Sequence, residues 1–249
     1  ELEEIKKLGY GAFSFLDDNL FLLPDRVVGI CDGIKKRNYS FKWACEGRAE
    51  SKVHDIFHHL SSAGCDLVMF GIESGSQRIL DKMNKKTNLK DIRKAVSQAQ
   101  KAGISIIHGF FIVGFPSETI EEVKRTFKFA ERIEVNSFAF NSLTAFRGTI
   151  LWNDAVAKGY IDEEKDWARM FPIHMIYPDA IDTKTLFKLR SRLVKRMILM
   201  KILKHPWRAF KILKRFSQCM SLREDRKSVV EGKSVELGGR RIMKTKNNI

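Results

Sequence analysis

Residues Gly71–Ser76 (GIESGS) join an apolar run to a helical stretch beginning near Gln77. Glycines at such a junction let the backbone approach a ligand closely. Exposed amides at the following helix start favour anionic groups. Glu73 can accept hydrogen bonds from ribose hydroxyls or from an amine. An ordinary strand-to-helix turn with an exposed glutamate accounts for the same six residues. The spacing is not Gly-x-Gly-x-x-Gly, so a dinucleotide fingerprint is not supported.

Similar polar or glycine-bearing endings recur along the chain. Asp17 and Asp18 follow one apolar run, Glu46 and Arg48 the next, and Gly114-Phe115-Pro116-Ser117-Glu118-Thr119 a later one. Arg48 could pair with a ligand carboxylate through charge-assisted hydrogen bonds. His54 and His58 are four residues apart, as on a zinc-protease helix, but the general-base glutamate is absent. A solvated helix face accounts for that pair, and no residue is assigned to a metal. His108 lies inside an apolar run, where both a satisfied core histidine and a catalytic one fit. Gly232-Lys233-Ser234 imitates the end of a phosphate loop, but position 227 is Lys and no strand precedes it. It carries no functional weight.

These residues need a frame, and the pattern supplies one. Short apolar runs at Ala12–Leu16, Phe41–Cys45, Leu67–Ile72, Ile104–Val113 and Ser137–Leu143 read as strands. Amphipathic stretches at Asp25–Arg37, Ser51–Ala63, Asn88–Ala102 and Glu121–Ile133 read as helices, the third capped at Thr87. Single helices between apolar strands predict a parallel α/β sheet, covered on both faces or closed as a barrel. Ligands of such folds gather at the C-terminal strand ends, which is where the polar residues recur. Past Leu151 the alternation stops. Trp152–Gly159 reads as a helix, Tyr160–Pro178 as irregular, and Thr183–Lys204 as a long basic amphipathic helix.

The 249 residues carry a net charge of +15, unevenly spread. Lys184–Arg215 holds twelve Lys or Arg and no acid. Two readings stand for this segment: a surface for anionic membrane or RNA backbone, or a helix packed on the barrel with a solvated basic face. Cys31, Cys45, Cys65 and Cys219 have no CxxC spacing. They read as buried inert thiols of a reducing cytoplasm. The chain begins at Glu1 within a helical pattern, which predicts that a native N-terminal region precedes it. Asp225–Ile249 resembles the read-through translation of a sequencing adapter and is expected to be a disordered, non-native tail.

The order FLDDN, WACEGR, LVMFGIESGSQRILDKMNK, FFIVGFPSET and FRGTILW resembles the catalytic barrel of radical S-adenosylmethionine (SAM) enzymes. It is most similar to the subgroup whose members often carry an upstream cobalamin-binding domain. The resemblance spans about Leu8 to Arg215 and implies a partial parallel (β/α) barrel over 1–150. A helical basic extension over 151–224 and the tail over 225–249 would follow. It implies SAM and a [4Fe–4S] cluster as cofactors, with cobalamin in the intact parent. In that family a CxxxCxxC loop holds the cluster, because thiolates are soft ligands. Reductive cleavage of SAM then starts radical chemistry on a substrate.

This chain has no such loop. The cluster ligands are therefore expected upstream of Glu1, and the piece alone is expected to bind neither cofactor productively. By resemblance, Glu73 lies near the SAM ribose or amine, and Ser74 and Gly75 shape its turn. Asp17 sits where amino-group or substrate contacts are made, with Asp18 beside it, and Arg48 faces the SAM carboxylate. Gly114 and Pro116 belong to the family's GFPGET turn behind the adenine, with Ser117 replacing the usual glycine. Arg147-Gly148-Thr149 stands where relatives often have Pro-Gly-Thr.

The implied reaction is methylation, cyclisation or rearrangement of a small-molecule, lipid or peptide substrate. A flavodoxin or ferredoxin would donate the electron. Other readings are a methylthiotransferase-like RNA-modifying enzyme and a non-catalytic barrel remnant that binds a membrane or partner. The RNA reading lacks the C-terminal β-barrel pattern it needs, so nucleic acid is not an expected partner. Peripheral membrane contact through 184–215 is.

Overall fold

The computed structural model describes residues 1–50, 53, 55–166 and 181–204. Strands β1 (Ala12–Ser14), β2 (Lys42–Gly47), β3 (Cys65–Glu73), β4 (Ile106–Val113) and β5 (Ser137–Ser142) form one sheet. Their order follows the chain and every pairing is parallel. With its helices the sheet makes the expected α/β partial barrel.

Burial alternates along the strands, as a two-residue side-chain period requires. Val68, Phe70 and Ile72 of β3 are fully buried, whereas Met69, Gly71 and Glu73 are partly open. The buried row meets helices. Phe70 packs edge-on against Phe57 of α3 (Phe57–Ser62). Phe140 of β5 stacks between Phe111 of β4 and Phe127 of the helix that follows β4. Burying each such ring contributes about 1.5–3 kcal/mol. The open row lines the other face of the sheet.

The remaining helices are α1 (Leu2–Lys7), α2 (Pro24–Lys36), α4 (Gln77–Lys82), α5 (Leu89–Lys101), α6 (Ile120–Arg132), α7 (Ile150–Ala157), α8 (Glu163–Asp166) and α9 (Thr183–Lys204). Of the helix expected over 51–63, the described residues form α3 at Phe57–Ser62, and residues 51, 52 and 54 lie outside them. Before Phe57 the bonds run between residues three apart, Val53 N–H to Glu50 O and Ile56 N–H to Val53 O. That is the tighter 3₁₀ winding common at helix starts.

The cap of α5 is Asn88, not Thr87. Asn88 Oδ1 accepts from the Asp91 amide at 2.9 Å, while Thr87 Oγ1 donates to Ala49 O at 3.0 Å. Asn88→Ala is expected to lower stability by about 1 kcal/mol, read as a shifted urea midpoint with unchanged slope.

The long helix α9 has the expected bounds. Leu186 and Met197 are buried in the main core, with Leu189, Leu193 and Val194 packed beside them. This spacing is one helical stripe. Arg190 Nη1 donates to Ser142 Oγ at 3.2 Å, and Lys184, Lys188, Arg192, Lys195 and Arg196 face solvent. Thus the packed-helix reading describes α9 as far as Met197. The chain divides into compact units Glu1–Met197 and Ile198–Ile249. His54, Cys219, the irregular segment beyond residue 166, basic residues 205–215 and the tail over 225–249 lie outside the described residues, wholly or in part.

Candidate functional site

A parallel sheet brings all C-terminal strand ends to one rim. Asp17 and Asp18 follow β1, Glu46–Arg48 closes β2, Glu73 ends β3, and Gly114–Glu118 follows β4. The last two turns are cross-braced. Arg78 of α4 donates through Nη2 to Ser117 O at 2.8 Å and through Nε to Glu122 Oε1 at 2.8 Å. Lys82 Nζ donates to Ser117 Oγ at 2.6 Å. Ser76 Oγ donates to Glu122 Oε1 at 2.8 Å, and the Gly75 amide donates to Thr126 Oγ1 at 3.0 Å. The Glu73 turn and the Pro116 turn therefore share one end of the fold.

Within the first turn the residues divide their work. Ser74 is fully buried, with its hydroxyl 3.2 Å from Thr126 Oγ1. A Cβ on Gly75 would lie 2.6 Å from Phe129 Cβ, 2.7 Å from Thr126 Cα and 2.9 Å from Arg125 O. Gly75 thus admits α6, and Ser74 and Gly75 act on the site by holding Glu73. Glu73 has φ 65°, and its register with β4 shifts there. A left-handed backbone costs a residue with a Cβ about 1–2 kcal/mol, the kind of strain that collects at ligand sites. Its carboxylate folds back toward Gly71, whose missing Cβ leaves the space, and meets Lys85 Nζ at 2.6 Å.

The second turn has its own brace. Glu118 is 1% exposed. Its Oε2 accepts from the Gly114 amide at 2.6 Å and the Phe115 amide at 3.3 Å, while Oε1 has no partner. Burial pushes this carboxyl up to about 7, against the pull of those two amides. Four residues on, the Arg78 guanidinium holds Glu122 down at about 2, helped by Thr119 and Ser76. Ser117 has φ 64°, which explains why the resembled turn usually has glycine there.

Around the rim, charge converges. Burial raises the Glu46 carboxyl, and neighbouring Glu73 and Asp18 raise it further, with Lys85 opposing. Asp17 is 3.6 Å from Arg26 in a solvent-exposed pair, worth at most about 1 kcal/mol. The Arg48 amide donates to Asn19 Oδ1 at 3.0 Å and its Nε lies 2.9 Å from Glu50 Oε1. Arg48 Nη2 is buried without a hydrogen-bond partner.

His108 belongs to the open row of β4, not to the apolar layer. Its Nδ1 is 2.9 Å from Ser137 Oγ, and its ring lies 4.4 Å from that of Phe110. Burial lowers its pKa, favouring neutral imidazole, and Nε2 has no partner. Arg147 pairs with Glu163 at 3.3 Å, and Thr149 Oγ1 caps α7, so that loop is held as structure.

Sequence reasoning missed Lys85, Arg78 and Glu122. A basic residue following a helix of six residues carries no signal of its own. Only the recurrence of Lys or Arg at 78, 82 and 85 marks that side of the turn.

The described residues do not fit an iron–sulfur cluster. Cys31, Cys45 and Cys65 are buried, with Cys45 Sγ 4.0 Å from Cys65 Sγ. Burial pushes Cys31 up to about 11, and contact with Cys65 together with burial raises Cys45. Cys31 and Cys45 are thereby held as thiols, which bind iron poorly. Among the described residues no group of three or more metal-binding side chains occurs. An adenosyl amino acid fits the rim better: Arg48 Nη2 is an orphaned donor for its carboxylate, and Glu73 an acceptor for its hydroxyls. A separate cavity of about 480 Å³ lies between α1 and α2, lined by Leu2, Ile30 and Tyr39 among others.

The model of the radical SAM superfamily matches residues 1–130. An uncharacterized methyltransferase of Pyrococcus horikoshii is 34% identical over 164 residues, covering 64% of this chain and 36% of that protein. The cytidylyl-2-hydroxyethylphosphonate methyltransferase of Streptomyces wedmorensis is 29% identical over 171 residues, covering 65% and 32%. The chain thus spans about a third of the length of these relatives. Among solved structures, the radical SAM methyltransferase TsrM of Kitasatospora setae, with cobalamin and a [4Fe–4S] cluster bound, superposes with a TM-score of 0.56. Identity there is 17%, covering 64% of this chain and 30% of that one, a likeness of fold.

Proposed function

The chain belongs to the radical SAM superfamily, and on that premise we propose that it forms the SAM-binding rim of a radical methyltransferase. The observation that carries this reading is the convergence of the Glu73 and Gly114–Glu118 turns on one sheet end. Methyl transfer is favoured because the relatives reported above are named as methyltransferases. Cobalamin use in the whole protein is supported by the resembled subgroup and by the TsrM fold.

Bound SAM, with a [4Fe–4S] cluster, supplies radical chemistry to this superfamily. The chain's own residues bind and orient. Glu73 accepts hydrogen bonds from the ribose hydroxyls, and Lys85 aims its carboxylate. Arg48 takes the carboxylate of the amino acid portion. Glu118 stiffens the turn at Gly114 and Pro116 that backs the adenine. Asp17 and Asp18 stand at the amine side, where their charge favours an ammonium group. Met69, Phe110 and Ile112 on the open row offer an apolar floor that excludes water.

Amide spectra recorded during SAM titration to millimolar concentration test this assignment through the weak rim contacts that need no cluster and are not productive by themselves. Shifts are expected at Arg48, Glu73 and Gly114, with binding weakened about tenfold or more by Arg48→Met or by Glu73→Gln. Shifts confined to the α1–α2 cavity, or none at millimolar SAM, would exclude the rim as the binding site.

A further inference from the structure

Beyond Met197, α9 changes character. Ile198, Leu199, Met200, Ile202 and Leu203 are all exposed, Leu199 by 56% and Leu203 by 66%. At about 100° per residue these five cover an arc of about 200°. Lys201 and Lys204, at about 300° and 240° from Ile198 on the same count, take the remainder of the circumference. No acid occurs between Lys184 and Arg215. A cluster of large aliphatic side chains held in water is an interaction surface.

Charge and composition select the occupant. A second copy would bring an equally basic segment against this one, and like charges oppose that contact. A nucleic-acid strand is bound through aromatic stacking as well as charge, and 198–204 holds no aromatic residue. An anionic bilayer satisfies both halves. Aliphatic side chains enter the acyl boundary, while Lys and Arg lie among the headgroups. No helix among the described residues is long and apolar enough to cross a membrane, so contact would lie in the surface plane. We infer that the distal turns of α9 dock this protein on an anionic lipid surface, with Ile198, Leu199, Ile202 and Leu203 inserted and Lys201 and Lys204 at the headgroups. This inference is independent of the SAM assignment.

Flotation of the full chain with vesicles tests it. Binding is expected to phosphatidylcholine vesicles containing a quarter phosphatidylglycerol, weakening with added salt, and not to phosphatidylcholine alone. The double variant Leu199→Glu with Leu203→Glu is expected to lower partitioning at least about 20-fold, as is Lys201→Glu with Lys204→Glu. Circular dichroism matching the parent ensures that each variant is folded. The docking is overturned by absent flotation, by equal binding to both vesicle types, or by flotation that survives Leu199→Glu with Leu203→Glu. It is equally overturned by a dimer that this double variant dissociates in a chain that does not float. RNA binding without flotation, lost only in the charge-reversed variant, overturns it too.

Discussion

Gly75→Ala is expected to lower stability by about 3 kcal/mol, measured by urea unfolding at neutral pH. The new methyl carbon would meet Thr126 Cα and Arg125 O, both backbone, at 2.7 and 2.9 Å. Neither atom can rotate away, so α6 itself must move. Overpacking of this kind costs about 1–3 kcal/mol. Moving α6 also stretches the bonds of Thr126 to Gly75 and of Glu122 to Ser76, each contributing about 1 kcal/mol. The turn that carries Glu73 is thereby loosened, so SAM-induced shifts should weaken in the same variant. A loss below about 0.5 kcal/mol would show that α6 does not press on this turn.

Replacing Glu118 by Gln is expected to stabilise the protein by about 2 kcal/mol at pH 8 and to do nothing useful at pH 4.5. The folded carboxyl titrates at about 7 against an ordinary 4.5. Folding therefore favours the protonated form. The stability linked to Glu118 is complete below about pH 4.5 and is lost as pH rises through about 7. Gln keeps an acceptor for the Gly114 and Phe115 amides and never carries the buried charge. Glu122 runs the other way. Its folded value of about 2 lies below 4.5, so its stabilisation is present above pH 4.5 and lost as pH falls toward 2. Together the pair places their joint maximum near pH 4.5–5. Urea titrations of parent and Glu118→Gln at pH 4.5 and 8 check the sign. An equal effect at both pH values would mean that Glu118 is ionised throughout.

Much of this architecture was legible in the sequence because it follows from local pattern. Alternating apolar runs and amphipathic helices predicted five strands, and all five occur within a few residues of their expected places. The bounds of α9 followed from its uninterrupted periodicity. Side-chain pairings across the fold were hidden. Glu73 meets Lys85 only because α4 turns back toward the rim, and Arg78 reaches Ser117 only because β3 and β4 are neighbours. Gly75 looked like a residue that admits a ligand, but the space it leaves is filled by α6. Glycine signals a close approach without saying by what. Asn88 displaced Thr87 as the cap because Thr87 is drawn toward Ala49, a contact 38 residues distant in sequence. The change of α9 at Met197 depends on where the core ends, which periodicity alone does not encode.

The strand order carries a consequence for how the molecule forms. Each strand after β1 pairs with the one made just before it, across separations from 22 residues, Trp43 to Cys65, to 39, Leu67 to Ile106. Among the described strands no pairing awaits a distant partner. Loop-closure entropy grows only slowly over such distances, and contacts of modest sequence separation form fast. Synthesis on the ribosome can therefore lay this sheet down vectorially, each emerging β-α unit zipping onto a template already in place.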